Sequence, residues 1–239
     1  MTYNLQGIIR KASTNMVVEF DRLAYTTQNF ANVNTNGYKA VRFEDVIDAD
    51  GSVHGIERVD MKTGEFLITN NPLDIALQGA GYIPITTSLG EIRYTRDGSF
   101  MLNKDGFLCT KLGDLVGSGI KIDAASEKIE IKQNGDVYTY KKITDEPVYQ
   151  GTIPLVQFQN PEALKDVGGN SFVSTENSGN MKLVENHDYI RQHGIERANI
   201  DVISEVYQVS RMNASILASS SLMKTINSMY DSVMQNMGS

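Results

Sequence analysis

The chain has 239 residues, of which 41% are hydrophobic and 21% are charged, a composition typical of a folded protein with one or two domains. The formal net charge is −7, which argues against a nucleic-acid-binding protein, because such proteins usually carry a basic face. The single cysteine, Cys109, excludes an internal disulfide, and a buried core position is a better interpretation of it than a reactive nucleophile. No apolar stretch reaches about 18 residues and residues 1–13 lack a signal-peptide pattern, so we expect neither a membrane-spanning helix nor a cleaved leader.

Residues that break regular structure are confined to the middle of the chain. All five prolines lie between Pro72 and Pro161, and of the 20 glycines only Gly7 and Gly238 lie outside 37–194. Long segments without proline or glycine favour helices, whereas a segment rich in both favours strands and turns. The distribution therefore predicts an α+β protein, with N- and C-terminal helices and a central β-rich domain.

Both terminal segments carry apolar residues at a spacing of seven, which is typical of helices that pack along a seam. These seam residues are Ile9, Met16, Leu23 and Phe30 near the N-terminus, and Val202, Val209, Ile216, Met223 and Tyr230 near the C-terminus. Glu205 and Ser219 occupy seam-type positions as polar exceptions. Residues 198–239 contain only five charged side chains but nine Ser and four Asn, which favours packing against another helix or chain. The alternative is a two-helix hairpin covered by its own body domain.

The middle of the chain reads as strands joined by tight turns. Apolar and polar residues largely alternate over residues 91–110, as expected for half-buried strands. Asp-Gly and Asn-Gly dipeptides are strong signals for hairpin turns. We therefore predict such turns at Asp97-Gly98, Asp105-Gly106 and Asn134-Gly135.

Residue patterns of catalytic and metal sites are missing from the sequence. His54, His187 and His193 are scattered and none has the spacing of a zinc motif. There is no phosphate-binding loop and no nucleophile elbow. We therefore expect no enzyme activity, no metal and no cofactor.

Three stretches, in order along nearly the whole chain, resemble the bacterial flagellar rod and hook axial protein family. In ANVNTNGYKA, the residues that match the first motif are Ala31, Asn32, Thr35, Gly37, Tyr38 and Lys39. In NPLDIALQGAGYIPI and YTRDGSFMLNKDGFL, the matching residues include Asn71, Leu73, Asp74, Gly79, Gly81, Arg96 and Gly98. In IERANIDVISEV, the matching residues include Glu196 and Asn199. By these matches the chain resembles members of that family along nearly its whole length.

The resemblance implies a structural role in the flagellar basal body. It implies terminal helices that pair as a coiled coil, and self-assembly into the helical rod that passes motor torque to the hook and filament. It implies other rod and hook axial proteins and the flagellar export apparatus as partners, with no nucleic acid, small-molecule substrate or membrane insertion. The expected location is the periplasm-spanning rod, reached by export without a cleaved signal peptide.

The resemblance also divides the chain into four segments. They are an N-terminal helix of the inner domain at 1–36, a linker or extended segment at 37–70, a β-rich body at 71–194 and a C-terminal helix of the inner domain at 195–239. The short segment between Phe43 and Gly64 favours a proximal rod protein, with a distal rod or hook-type subunit as the alternative within the family. Outside the family, the alternative is a soluble, non-enzymatic protein-binding module.

Overall fold

The computed structural model describes residues 5–49, 53–123, 125–185 and 187–237. Two long helices, α1 (Leu5–Ala31) and α2 (Val202–Met237), stand at the two ends of this part of the chain, and β-strands occupy the sequence between them. The predicted α+β class is therefore confirmed. Residues 1–4 and 238–239 of the predicted terminal segments lie outside the described residues.

The strands between the helices are short, and only the first two have seven residues. In chain order they are β1 (Val41–Ile47), β2 (Val53–Val59), β3 (Phe66–Ile68), β4 (Ile75–Leu77), β5 (Ile83–Thr86), β6 (Ile92–Thr95), β7 (Met101–Leu102), β8 (Leu108–Cys109), β9 (Leu115–Val116), β10 (Lys128–Ile131), β11 (Asp136–Tyr140), β12 (Val148–Thr152), β13 (Val156–Gln157), β14 (Lys165–Asp166), β15 (Ser171–Val173), β16 (Lys182–Leu183), β17 (Ile190–Gln192) and β18 (Gly194–Glu196). Single 3-10 turns occur at Pro161–Ala163 and Glu176–Ser178.

The chain forms two compact units, and the first contains both helices and the hairpin of β1 and β2. This unit comprises Met1–Ala31, Val41–Val59 and Ile200–Ser239. The hairpin strands are antiparallel, with Val41 opposite Val59 and Ile47 opposite Val53. Segment 37–70, which we predicted as a linker or extended segment, includes this regular hairpin.

The helices begin and end where the sequence supplies capping and turn residues. Helix α1 ends at Ala31, immediately before the run of Asn and Thr that competes for backbone hydrogen bonds. Before α2, the Asp201 carboxylate accepts hydrogen bonds from the backbone N–H groups of Ile203 (3.1 Å) and Ser204 (3.2 Å). This satisfies two of the donors that a helix N-terminus leaves open.

The second unit, Asn32–Ala40 and Asp60–Asn199, contains a seven-stranded sheet in the order β14-β15-β6-β5-β9-β8-β7. A three-stranded antiparallel sheet in the order β10-β11-β12 belongs to the same unit. Short two-stranded pairs, β17 with β4, β18 with β3 and β13 with β16, complete it. Aliphatic and aromatic side chains form one buried cluster here: Ile75, Leu77, Ile83, Phe100, Leu108, Val116, Ile120, Ile122, Ile131, Val137, Ile153, Leu155 and Ile190.

Two of the three predicted hairpin turns are confirmed. Asn134-Gly135 joins β10 to β11, and Asp105-Gly106 joins β7 to β8. A hairpin at Asp97-Gly98 is wrong, because β6 and β7 are not neighbours in the sheet. The Gly98 carbonyl instead accepts the N–H of Ile75 at 3.0 Å, so this turn holds the chain against β4.

Three further features bear on the expected chemistry. Cys109 is buried, as predicted. Among the described residues, no helix has the length and apolar content to cross a membrane. The same residues contain no group of three or more His, Cys, Asp or Glu side chains arranged to hold a metal ion.

Candidate functional site

Glu196 is the centre of a buried charge cluster, which we define as Lys39, Arg96 and Glu196. Its Oε1 accepts a hydrogen bond from Lys39 Nζ at 2.6 Å and another from the backbone N–H of Gly64 at 2.8 Å. Its Oε2 lies 2.9 Å from Arg96 Nη2 and accepts a hydrogen bond from Arg96 Nε at 3.1 Å. The three side chains are at most 4% exposed. One carboxylate thus pairs with two buried cations, and each of the three motif stretches supplies one member.

The remaining donors of Arg96 hold the loop after β4. Arg96 Nη1 donates to the carbonyl oxygens of Gly79 at 2.8 Å and Gly81 at 2.6 Å. A Cβ on Gly79 would lie 2.5 Å from the Tyr189 ring. Any residue larger than glycine at this position would therefore clash with that ring. The guanidinium group therefore links the charge cluster to the backbone of the second motif.

Gly37 brings the chain from the first motif against the charge cluster. Its N–H donates to the Glu196 carbonyl at 2.7 Å. Its φ is +67°, and a Cβ would lie 2.5 Å from the carbonyl carbon of Arg96. Because side chains are disfavoured at positive φ and no space remains, only glycine fits this position.

The Asn199 side chain forms hydrogen bonds to two backbone segments of the same unit. Its Nδ2 donates to the carbonyls of Asp60 at 2.7 Å and Lys62 at 3.0 Å, and its Oδ1 accepts the N–H of Ala40 at 2.7 Å. The Lys62 carbonyl also accepts a hydrogen bond from Lys39 Nζ at 2.5 Å.

Burial dominates the electrostatics of this region. It lowers the pKa of Lys39, although the adjacent Glu196 carboxylate opposes the shift. Burial also raises the pKa of Tyr82 to about 12. Tyr82 lines a cavity of about 300 Å³ together with Met61, Arg96 and Phe158. The polar atoms of the charge cluster form hydrogen bonds to one another and to backbone groups. This arrangement stabilises the fold, and it already occupies the carboxylate of Glu196 and the guanidinium of Arg96 with partners inside the protein.

The other residues of the first motif form the turn that follows α1. Ala31 is the last residue of the helix. The Thr35 N–H donates to the Asn32 carbonyl at 2.9 Å, and Thr35 Oγ1 donates to Asn32 Oδ1 at 3.1 Å. Tyr38 is buried, with 6% of its surface exposed.

The start of the second motif forms a separate turn. Asn71 Nδ2 donates to Asp74 Oδ1 at 2.7 Å, and Asn71 Oδ1 accepts the N–H of Leu73 at 3.1 Å. The backbone of Asp74 pairs with Ser99, and Leu73 packs on the hydrophobic core. These three residues make no hydrogen bond to the charge cluster, so the motif contributes to two places in the same unit.

Sequence reasoning missed Asn29, which is 1% exposed in the first unit. Its Oδ1 accepts the Val41 N–H, and its Nδ2 donates to the Val41 carbonyl, both at 2.9 Å. Nδ2 also donates to Glu205 Oε1 at 2.9 Å. A signal was present in the sequence, because Asn15, Arg22 and Asn29 are spaced by seven and form a polar line beside the apolar seam.

The predicted seam residues lie beside the most buried positions of the helix pair. Seven of them are half-buried, namely Ile9, Met16, Leu23, Phe30, Val209, Ile216 and Met223, whereas Val202 and Tyr230 are exposed. The most buried residues of α2 are Met212, Ser219 and Ile226. The two polar exceptions have partners across the pair: Glu205 accepts from Asn29, and Ser219 accepts from Asn15 at 3.2 Å.

Comparison with known proteins gives one consistent result. Residues 76–139 match the family model described as the flagellar hook protein FlgE/F/G D1 domain. The flagellar basal-body rod protein FlgG of Caulobacter vibrioides is 28% identical, with 95% of this chain and 98% of that protein covered. FlgG of Buchnera aphidicola is 25% identical over 91% of this chain and 95% of its own length. The rod protein FlgF of Mesorhizobium japonicum is 28% identical, with 95% of each chain covered.

Proposed function

We propose that the chain is a member of the flagellar basal-body rod and hook protein family and a structural subunit of the rod, assembled into a helical tube that transmits motor torque to the hook and filament. The observation that carries this proposal is the similarity to rod proteins over nearly the full length of both chains. The buried charge cluster supports it, because this cluster joins residues from all three motif stretches of the family.

In this proposal the helices form the inner part of the assembly and pair as a coiled coil. Support comes from α2, which exposes large apolar side chains around most of its circumference: Ile203, Val206, Tyr207, Leu217, Leu222, Met229, Tyr230, Val233 and Met234. A helix that is apolar on all sides is normally buried. Contacts with neighbouring subunits would cover these side chains, and head-to-tail contacts of this kind generate open helical filaments.

The motif residues of the second unit are proposed to give each subunit the stiffness that a torque-bearing tube needs. Removing the counter-charge from a buried ion cluster costs several kcal/mol, so such a cluster resists local opening. The segments around Gly37 and Asn199, which follow α1 and precede α2 in the sequence, are both fixed by backbone hydrogen bonds in this unit. We assign Lys39, Arg96 and Glu196 to this rigidifying role.

The remaining parts of the proposal concern transport and chemistry. The subunit is exported unfolded by the flagellar export apparatus, without a cleaved signal peptide, and then assembles with itself and other axial proteins of the rod and hook. A chain with one cysteine suits this route, because no internal disulfide has to form. The subunit is non-enzymatic and uses no cofactor, nucleic acid, small-molecule substrate or membrane insertion.

Deletion of the chain, followed by electron microscopy of basal bodies, tests this function. We expect basal bodies with an incomplete rod, no hook and no filament, and restored motility when the wild-type chain is supplied. The length of the rod stub distinguishes a proximal from a distal subunit. Intact rotating flagella in the deletion strain would refute the proposal and favour a protein-binding module.

A further inference from the structure

We propose that Asn15 is the register-determining residue of the α1–α2 helix pair, through its bonds to Ser215 and Ser219. Asn15 Nδ2 donates to Ser215 Oγ at 3.1 Å and to Ser219 Oγ at 3.2 Å. The two serines are four residues apart, so they lie on one face of α2. The amide thus spans one turn of the facing helix.

The apolar seam alone leaves the register ambiguous. Its members on α2 recur every seven residues, and a shift of the pair by seven would replace one apolar partner with another. Such a shift exchanges Ile216 for Met223, or Met223 for Tyr230, with little change in the type of contact. Repeating apolar seams need polar exceptions to select one alignment.

The observed contacts define a single antiparallel alignment. Ser13 Oγ lies 3.7 Å from Met223 Sδ, Asn15 contacts Ser219, and Asn29 contacts Glu205. Partner numbers on α2 fall as the numbers on α1 rise, which is the pattern of antiparallel helices in one register. Because both helices belong to the first unit, these contacts describe one compact body.

A shift by one heptad removes both partners of Asn15. In place of Ser219, the amide would face Met212 or Ile226. In place of Ser215, it would face Gln208 or Leu222. Asn15 is half-buried. The shift to Ile226 and Leu222 leaves its amide without a side-chain acceptor, and the shift to Met212 and Gln208 replaces two hydroxyl partners with one amide. Either loss disfavours the shifted alignment by about tenfold.

No second site on α2 repeats the pair of acceptors on the seam. Ser228 and Ser232 are also four residues apart, but they are 13 positions beyond Ser215 and Ser219, which places them on another side of the helix. Their hydroxyls donate to carbonyls of their own helix, those of Thr225 and Ser228. Asn15 therefore finds its two hydroxyl partners in one register only.

Disulfide trapping in the full-length chain tests this assignment. Cys109 is first replaced by alanine, and Ser13→Cys is combined in separate proteins with Ile216→Cys, Met223→Cys or Tyr230→Cys. The 13–223 pair reports the observed register, and the other two report shifts of one heptad. Intramolecular disulfide is measured by peptide mass after mild oxidation.

We expect the 13–223 disulfide to dominate when Asn15 is present. With Asn15→Leu, the preference for 13–223 over the shifted pairs should fall on the order of tenfold, while the helical circular dichroism signal is kept. Asn227→Leu makes the same chemical change at an exposed position of α2 and should leave the preference unchanged. Ser215→Ala with Ser219→Ala removes the acceptors without altering α1 and should reproduce the loss.

Two results would overturn the assignment. An unchanged preference in the Ser215→Ala, Ser219→Ala protein would mean that the chain connections set the register. Equal trapping of all three pairs with Asn15 present would mean that no register is selected. If Asn15→Leu abolishes the helical signal, the serine double variant alone decides between these outcomes.

Discussion

Glu196→Gln should cost far more stability than its small change in shape suggests. The substitution removes the single negative charge that faces Lys39 Nζ at 2.6 Å and Arg96 Nη2 at 2.9 Å. Both cations would remain buried without a counter-charge from this position, and breaking a buried ion pair from one side typically costs about 3–5 kcal/mol. We expect a loss of about 3 kcal/mol or more in the free energy of unfolding of the second unit.

The matched variant Lys39→Met should cost less. It leaves Glu196 paired with Arg96, one charge against one, and it removes a lysine whose pKa burial already lowers. We expect a loss of about 1–2 kcal/mol, mainly from the hydrogen bond to the Lys62 carbonyl. Glu91→Gln serves as the control, because its partner Arg93 and Glu91 itself are solvent-exposed to 29% and 57%, and such pairs contribute about 0–1 kcal/mol.

Urea unfolding followed by tyrosine fluorescence and by circular dichroism measures these differences, since the chain has no tryptophan. The reasoning requires the order Glu196→Gln, then Lys39→Met, then Glu91→Gln, at an unchanged dependence on urea. A loss below about 1 kcal/mol for Glu196→Gln would refute it. Equal losses for Glu196→Gln and Lys39→Met would show that the charge imbalance is unimportant.

Three other perturbations test separate parts of the structure. Gly37→Ala should destabilise the second unit by at least about 3 kcal/mol, because it adds a backbone clash to the unfavourable φ, whereas Gly90→Ala, at φ +82° with open space, should cost about 1 kcal/mol. Asn29→Ala should cost about 2–3 kcal/mol in the first unit, because it breaks two bonds to Val41 and one to Glu205. Burial raises the pKa of Glu205 above 4.5, so its contribution to stability is fully present below pH 4.5 and is lost as the pH rises through the raised pKa. Glu205→Gln should remove that part of the pH dependence.

Each of these has a measurement that can contradict it. Equal unfolding midpoints in urea for Gly37→Ala and Gly90→Ala would contradict the close approach of Gly37 to Arg96. For Asn29→Ala, a helical signal as resistant to urea as that of the exposed variant Asn213→Ala would show that the Asn29 bonds contribute nothing. For Glu205, the difference in stability between wild type and Glu205→Gln should change between pH 4 and pH 7; a constant difference would mean that its pKa is not raised.

The helices could be predicted because their cause is local. Proline is absent where the helices run and Gly7 is the one glycine within their bounds, and the turn residues after Ala31 end α1 as the sequence indicates. The turns at Asp105-Gly106 and Asn134-Gly135 are also local, and both are hairpins. The same signal failed at Asp97-Gly98, because contact with Ile75 on a different strand decides the path of that turn.

The charge cluster, in contrast, could not be predicted from local sequence. The motifs contain Lys39, Arg96 and Glu196, but their partnership joins positions 157 and 100 residues apart in the sequence. Local patterning carries no information about such pairings, so only the fold brings the three together. Asn15 and Asn29 are a different case: the apolar seam already accounts for the periodicity of the helix, and these residues form a second, polar line parallel to that seam.

The most direct test of the account is the location of the chain in the cell. Hook–basal bodies purified from the organism that carries it should contain the chain by immunoblotting, enriched over the cytoplasmic and periplasmic fractions, and immunogold labelling of basal bodies stripped of their rings should mark the rod. A chain that stays in the cytoplasmic fraction of flagellated cells, with no label on the rod, would contradict the account.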